Sequence, residues 1–275
     1  MNKSIIFLIC LFFATTSSAA TKIPFYWDSF ESSGITYEKA VMLIAVADQK
    51  GKFLQLDTGS SDSYVYGVDV GINLKFKTLS GSLQTHNFKA MPKMEADKTI
   101  GTLGTDYFKG QCLTVDFPNQ ILEVTNCDNI SRINISWLDS FRFRTGHLMI
   151  KVSSGNNVFK NVILDTGASI FPLTLTKKHW LKVVSPEDAK NPPFKIKASS
   201  WGKEVEFKGA LPVAPICIGS ICESKAVYIQ PNLDFEAAGV EGVVGNILFY
   251  DLYSIIFNFK NDTVGVFKSI IRKKA

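Results

Sequence analysis

The chain has 275 residues, 46% hydrophobic and 20% charged, with a formal net charge of +5 from 30 basic and 25 acidic residues. That is enough apolar material for one large core or two modest ones, and it excludes a disordered chain. The charge excess is mild for the length and forms no long basic stripe, which argues against a dedicated nucleic-acid binder.

In chain order, residues 1–20 read as a cleaved secretory leader. Lys3 is a short basic start, Ile5 to Ala14 is an apolar run too short to span a bilayer, and Ser18-Ala19-Ala20 supplies the small residues of a cleavage site. Beyond it, strand signals dominate: Val41–Ala47, Phe53–Leu56, Leu113–Phe117, Leu148–Val152, Val162–Leu164, Val205–Phe207, Ser254–Phe259 and Val264–Phe267 are β-branched, aromatic or alternating. Only two short helices are expected, over Leu175–Val184 and Asn246–Leu252. No later segment is long and apolar enough for a stable membrane insertion.

The chain repeats itself once. Residues 41–61 and 147–169 both run apolar strand, polar turn, second strand, then Leu-Asp-Thr-Gly-x-Ser. Residues 101–124 and 242–267 both carry an apolar pair beside Gly104 or Gly245, a short helix-like stretch, then a hairpin. One β-rich unit therefore occurs twice, joined near 128–145. The expected division is a leader over 1–20, one lobe over 21–135 and a second over 136–275, with a cleft at the interface.

Four cysteines follow the leader, an even number that suggests two disulfides in an exported protein. Local spacing favours Cys112–Cys127 and Cys217–Cys222, with free buried thiols as the alternative. The first pair closes a hairpin turning at Pro118-Asn119-Gln120, with opposed residues expected to sum to 239 as 112 and 127 do. The second clasps a tight turn at Gly219-Ser220. A metal site finds little support, since the three histidines, His86, His147 and His179, are isolated in sequence and read as surface or loop residues.

Leu56-Asp57-Thr58-Gly59-Ser60-Ser61 and Leu164-Asp165-Thr166-Gly167-Ala168-Ser169 carry the chemistry. Two carboxylates within hydrogen-bond distance cannot both ionise cheaply, so they share a proton, and one can act as base on water while the other polarises a carbonyl. The paired motifs, with Leu103-Gly104 and Val243-Val244-Gly245, resemble the pepsin-like and retropepsin-like aspartic proteases over roughly residues 37–268. The resemblance implies an all-β, two-lobed aspartic-protease fold with pseudo-twofold symmetry and a central cleft. Asp57 and Asp165 would be catalytic. Thr58 and Thr166 would cross-brace the loops, Gly59 and Gly167 would allow the tight turn, and Ser60 would hydrogen-bond an aspartate where its counterpart Ala168 cannot. That asymmetry implies a mildly acidic optimum. Tyr64 occupies the family's aromatic position seven residues past the first aspartate, and no cofactor or metal is required.

The sequence departs from the family in three ways. Asp57 to Gly104 spans 47 positions and Asp165 to Gly245 spans 80, so the first half is the short one. A hairpin over Leu74–Asn87, turning at Ser80-Gly81, holds no flap tyrosine. In the second half, Phe194–Ala198 and Val205–Phe207 flank a tip at Ser200-Trp201-Gly202, and Trp201 lies either over a ligand or against its own lobe. Little room is left for a prosegment before Asp57. The reading is a secreted or periplasmic aspartic endopeptidase acting as a monomer on an extended peptide or protein substrate. The alternative is a catalytically inactive binding or inhibitor protein on the same fold. Arg272-Lys273-Lys274 reads as a solvated tail, and Asn129, Asn134 and Asn261 open glycosylation patterns.

Overall fold

The computed structural model describes residues 20–92, 98–130, 134–200, 203–231 and 233–271. Residues 1–19 of the expected leader, Trp201 with Gly202, and the basic tail lie outside the described residues. Among the described residues the strands form three sheets, of seven, ten and six strands, and the chain is all-β apart from short helical turns. No described helix is long and apolar enough to cross a membrane.

The seven-stranded sheet is built by the first half. Its centre is Ile35–Ala45 antiparallel to Phe53–Leu56, which runs parallel to Thr99–Leu103. Tyr64–Tyr66 pairs antiparallel with Thr99–Leu103 and parallel with Leu83–Met91. The ten-stranded sheet repeats this pattern in the second half. Leu148–Ser154 is antiparallel to Asn157–Leu164, which runs parallel to Gly242–Val244, and Leu173–Leu175 pairs antiparallel with Gly242–Val244 and parallel with Val227–Ile229. The internal repeat of the sequence is thus a repeat of strand order. In each half the strand before Asp-Thr-Gly lies between two hydrogen-bonded neighbours, and its core-facing residues Leu54, Leu56, Val162 and Leu164 are buried.

The six-stranded sheet joins the halves. Cys112–Asp116, from the first half, pairs antiparallel with Tyr253–Asn258 from the second, so Leu113 and Val115 meet Phe257 and Ile255. Ser136–Trp137 closes one edge against Thr263–Lys268. The largest apolar cluster is continuous through both halves, from Ile23 and Leu54 to Leu164, Leu248 and Val266. Burial of that surface is the main favourable term in folding.

Both disulfides are present, Cys112–Cys127 and Cys217–Cys222. Their settings differ. Cys217 and Cys222 face each other in register across the hairpin, with Gly219 at φ +58° in the turn. Cys112, by contrast, pairs with Thr125, so opposed residues sum to 237 and not to the expected 239. The reason is the turn: Gln120 takes φ +55° and its N–H donates to the Phe117 carbonyl, centring a four-residue loop between Asp116 and Ile121. Cys127 then reaches back from the 3-10 turn Cys127–Asn129.

The helical expectations contract. Over Leu175–Val184 the α-helix is only Lys177–Trp180, because Leu175 belongs to a strand. Over Asn246–Leu252 a 3-10 turn covers Asn246–Leu248. Two helices, Pro186–Lys190 and Leu233–Ala238, were not expected.

Candidate functional site

Asp57 and Asp165 each follow a buried strand and begin a tight loop. The Asp57 N–H donates to the Leu103 carbonyl at 3.1 Å, and the Asp165 N–H to the Val244 carbonyl at 2.9 Å. Each aspartate is therefore set by the parallel strand beside it. Gly104 and Gly245 lie directly beneath the loops. A Cβ on Gly104 would collide with the backbone of Asp62, and one on Gly245 with that of Ala168.

The two loops interlock by a reciprocal set of hydrogen bonds. The Thr58 N–H donates to Thr166 Oγ1 at 2.9 Å and the Thr166 N–H to Thr58 Oγ1 at 3.0 Å. The hydroxyls donate onward, Thr58 to the Leu164 carbonyl at 2.8 Å and Thr166 to the Leu56 carbonyl at 3.1 Å. Both threonines are buried. This brace brings each carboxyl group against the glycine of the opposite loop, Asp165 at Gly59 and Asp57 at Gly167.

The glycines make room for them. A Cβ on Gly59 would lie 2.6 Å from Asp165 Oδ1, and one on Gly167 2.8 Å from Asp57 Cγ. Asp165 Oδ1 accepts two backbone N–H groups, from Gly59 at 3.1 Å and Gly167 at 2.7 Å. Asp57 Oδ1 is buried with no hydrogen-bond partner. Burial and the facing Asp165 carboxyl push the Asp57 carboxyl well above the ordinary range, against the opposing pull of the Gly59 and Ser60 N–H groups. Burial and the facing carboxyl thus favour the protonated form of Asp57.

Ser60 departs from expectation. Its hydroxyl donates to the Asp62 backbone carbonyl at 2.7 Å and braces its own loop. The contrast with Ala168 therefore does not bear on the carboxylates, and the argument for a mildly acidic optimum from that asymmetry falls. The hydroxyl of Tyr64 donates to Asp62 Oδ2 at 3.4 Å. Tyr66, two residues on, was not singled out from the sequence. It hydrogen-bonds Thr102 Oγ1, and burial pushes its phenol up to about 12 against that bond.

The histidines are not isolated. His86 meets Asp106 Oδ2 at 3.2 Å, and Asp106 also accepts from Ser63 at 2.6 Å. Burial would raise the Asp106 carboxyl, but these hydrogen bonds hold it below the ordinary value. His179 packs in the second half against Thr176 and Glu241, and burial lowers its pKa. His147 reaches the first aspartate loop, donating from Nε2 to the Gly59 carbonyl at 2.9 Å. Asn246 was also missed: fully buried, it donates to the Thr166 carbonyl and Ser169 Oγ, both at 2.9 Å, and ties down the second loop. Among the described residues no group of three or more His, Cys, Asp or Glu side chains is placed to hold a metal ion.

The hairpin expected over Leu74–Asn87 forms from Ile72–Lys77 and Leu83–Met91, with Gly81 at φ +83° in its turn. Its turn end is remote from the aspartates. Phe76 bridges Val46, at the end of the central hairpin opposite Asp57, and the Leu79 N–H donates to the Lys22 carbonyl at 2.7 Å. The hairpin Phe194–Ser200 with Lys203–Ala210 lies nearer the second aspartate loop. Phe207 packs on Phe171 at 4.3 Å between ring centroids, and the Lys197 N–H donates to Ser32 Oγ of the first half at 3.0 Å. A cavity of about 790 Å³ lies elsewhere, beside Leu138, Ile218, Tyr253 and Lys268, and touches neither aspartate loop.

Fold and site together define a mostly β chain that presents a facing aspartate pair on two repeated, interlocked loops. No protein-family model and no curated protein matches the sequence. Among solved structures the chain is similar to the crystal structure of basic 7S globulin from soybean, at 10% identity and a TM-score of 0.52, over 91% of this chain and 96% of that one. It is similar to the same degree to conglutin gamma, a basic 7S globulin from lupine seeds, at 10% identity and a TM-score of 0.52, over 91% of this chain and 95% of that one. At such identity the likeness is one of fold. It corrects the family expectation: these structures are seed globulins, not pepsin-like proteases, and the assignment to the pepsin-like or retropepsin-like proteases is not kept. The two disulfides fit a chain that folds in an oxidising compartment.

Proposed function

We propose that the Asp57–Asp165 pair activates water to hydrolyse peptide bonds in an extended substrate. The observation that carries this reading is the asymmetry of the pair. Asp165 accepts two backbone N–H groups, while Asp57 is enclosed with an unpartnered oxygen. Asp165 acts as the base that takes a proton from water as the oxygen attacks the scissile carbonyl, and Asp57 gives its proton to the carbonyl oxygen. Collapse of the tetrahedral adduct returns a proton to Asp57 and delivers one to the leaving amine. The two repeated sheets would act as two lobes, with substrate pairing by backbone hydrogen bonds in the cleft between them. The chain is read as exported and monomeric, since it supplies both carboxyls itself.

The likeness to seed globulins favours a second reading better than the first: a catalytically inactive binding or inhibitor protein that keeps the loop geometry as a structural brace. One experiment separates them. The mature chain is incubated with a denatured protein from about pH 3 to pH 7, beside Asp57→Asn and Asp165→Asn. Hydrolysis that falls by about 100-fold or more in both variants supports the carboxylate mechanism. A folded but inert parent supports the binding reading.

A further inference from the structure

The loop between Ser140–Arg142 and Leu148–Ser154 belongs to the second half but rests on the aspartate loop of the first. Gly146 stands against Ser61, so close that an added Cβ would lie 3.7 Å from Ser61 Cβ. The loop is held in shape by Gly146 N–H to Phe143 O and Phe143 N–H to His147 O, both 2.9 Å, and by Arg142 Nη1 donating to the Gly146 carbonyl at 2.8 Å. Arg142 is itself anchored by Asp262. The His147 ring is fixed at both nitrogens. Nδ1 meets the Thr145 hydroxyl at 2.8 Å, and Nε2 lies 2.9 Å from the Gly59 carbonyl. A carbonyl only accepts, so Nε2 carries a proton.

We infer that His147 is a positioning residue for the aspartate pair, acting through the Gly59–Ser60 peptide, and the inference rests on the hydrolase reading only for its consequence in catalysis. The peptide whose carbonyl accepts from His147 carries the Ser60 N–H, which donates to the Asp57 main-chain carbonyl at 3.2 Å and closes the turn that begins at Asp57. The adjoining Gly59 N–H donates to Asp165 Oδ1. A donor on the carbonyl polarises the peptide and strengthens its N–H as a donor, as chains of hydrogen bonds do. The same bond fixes the tilt of the Gly59 backbone, whose approach to Asp165 leaves no space for a Cβ. The charged groups on its own hairpin are Arg142, which is paired with Asp262, and Arg144. Arg142 and Arg144 are committed to the Gly146 and Ala238 carbonyls, which leaves the histidine as the side chain donating to this peptide.

The test reads the carboxyls directly and needs no substrate. The Asp57 carboxyl carbon is followed by 13C NMR from about pH 3 to pH 8 in the parent, His147→Leu and His147→Gln, with Asp57→Asn to assign the signal. Leucine removes the donor. Glutamine places an amide N–H near the position of Nε2 and does not titrate. The expected result is an Asp57 midpoint raised by roughly half a unit in His147→Leu, the size of an indirect hydrogen-bond effect, and near the parent value in His147→Gln. An unmoved midpoint in a folded His147→Leu, or a glutamine variant shifted as far as leucine, overturns the inference. A parent without hydrolytic activity whose Asp57 midpoint still moves this way would sink the hydrolase reading and leave this one standing.

Discussion

Gly59 and Asp165 occupy one another's space. The Gly59 N–H donates to Asp165 Oδ1 at 3.1 Å, and a Cβ on Gly59 would stand 2.6 Å from the same oxygen. The residue after Thr58 is thus glycine because the opposite carboxylate fills the volume of a side chain. Gly59→Ala should force the loops apart and destabilise the fold by about 1–3 kcal/mol, as overpacking does. Denaturant unfolding of the parent and variant measures this. A variant as stable as the parent, with the Asp57 titration unchanged, would show that the loops separate freely.

The threonine brace predicts strong coupling. Each hydroxyl accepts one N–H and donates to one carbonyl across the interface, all within a buried site. Thr58→Val keeps the shape but strands the Thr166 N–H and the Leu164 carbonyl, at a cost of about 1–3 kcal/mol for each stranded group. Thr166→Val strands the Thr58 N–H and the Leu56 carbonyl. The four bonds form one network between the same loops, so the double variant should cost clearly less than the sum of the singles. A double-mutant cycle by urea unfolding reports the coupling, and strict additivity would mean that the brace does not act as a unit.

The repeat was legible because it is written twice in similar words: apolar strand, Asp-Thr-Gly, then apolar-apolar-Gly. Strand order follows from that, since each glycine must pass beneath its own loop. The pairing of the aspartates was legible for the same reason. What crosses between the halves was not. His147 meets Gly59 at a separation of 88 residues, and no periodicity marks such a contact. Ser60 misled because a hydroxyl beside a carboxylate can turn to a nearer carbonyl, here that of Asp62. The helix Pro186–Lys190 did carry a local signal. Ser185 accepts from the Asp188 N–H at 3.0 Å and proline occupies the first turn, but five residues are too few to show a helical period.

The disulfides should differ in weight. Cys112–Cys127 closes a loop with a sequence separation of 15, and Cys217–Cys222 one of 5. In the chain-entropy account the first stabilises by about 3 kcal/mol and the second by about 2 kcal/mol. The first also joins the end of Cys112–Asp116, a central strand of the sheet shared by both halves, to the 3-10 turn at Cys127. A Cys112→Ser/Cys127→Ser variant should therefore melt lower than Cys217→Ser/Cys222→Ser, as thermal unfolding followed by circular dichroism will read. The reverse order would mean that the short hairpin at Cys217–Cys222 anchors more of the fold than its loop length implies.

Asp57 sets a sign for stability against pH. Its carboxyl is raised in the folded state, first by burial and next by the facing Asp165. The folded chain therefore holds a proton there that the unfolded chain, with a carboxyl near 3.9, releases. Stability from this group is fully present below about pH 4 and is lost as pH rises through the raised folded value. Asp57→Asn keeps the shape of the protonated acid and removes the titration. Melting temperatures of parent and variant at pH 4, 5.5 and 7 should diverge, with the variant gaining on the parent as pH rises. Each unit of difference between the folded and unfolded pKa is worth about 1.4 kcal/mol, or roughly 2–4 °C for a chain of this size. A constant gap between the two proteins across that range would mean that Asp57 is charged in the folded state throughout, and the division of roles between the two aspartates would fail with it.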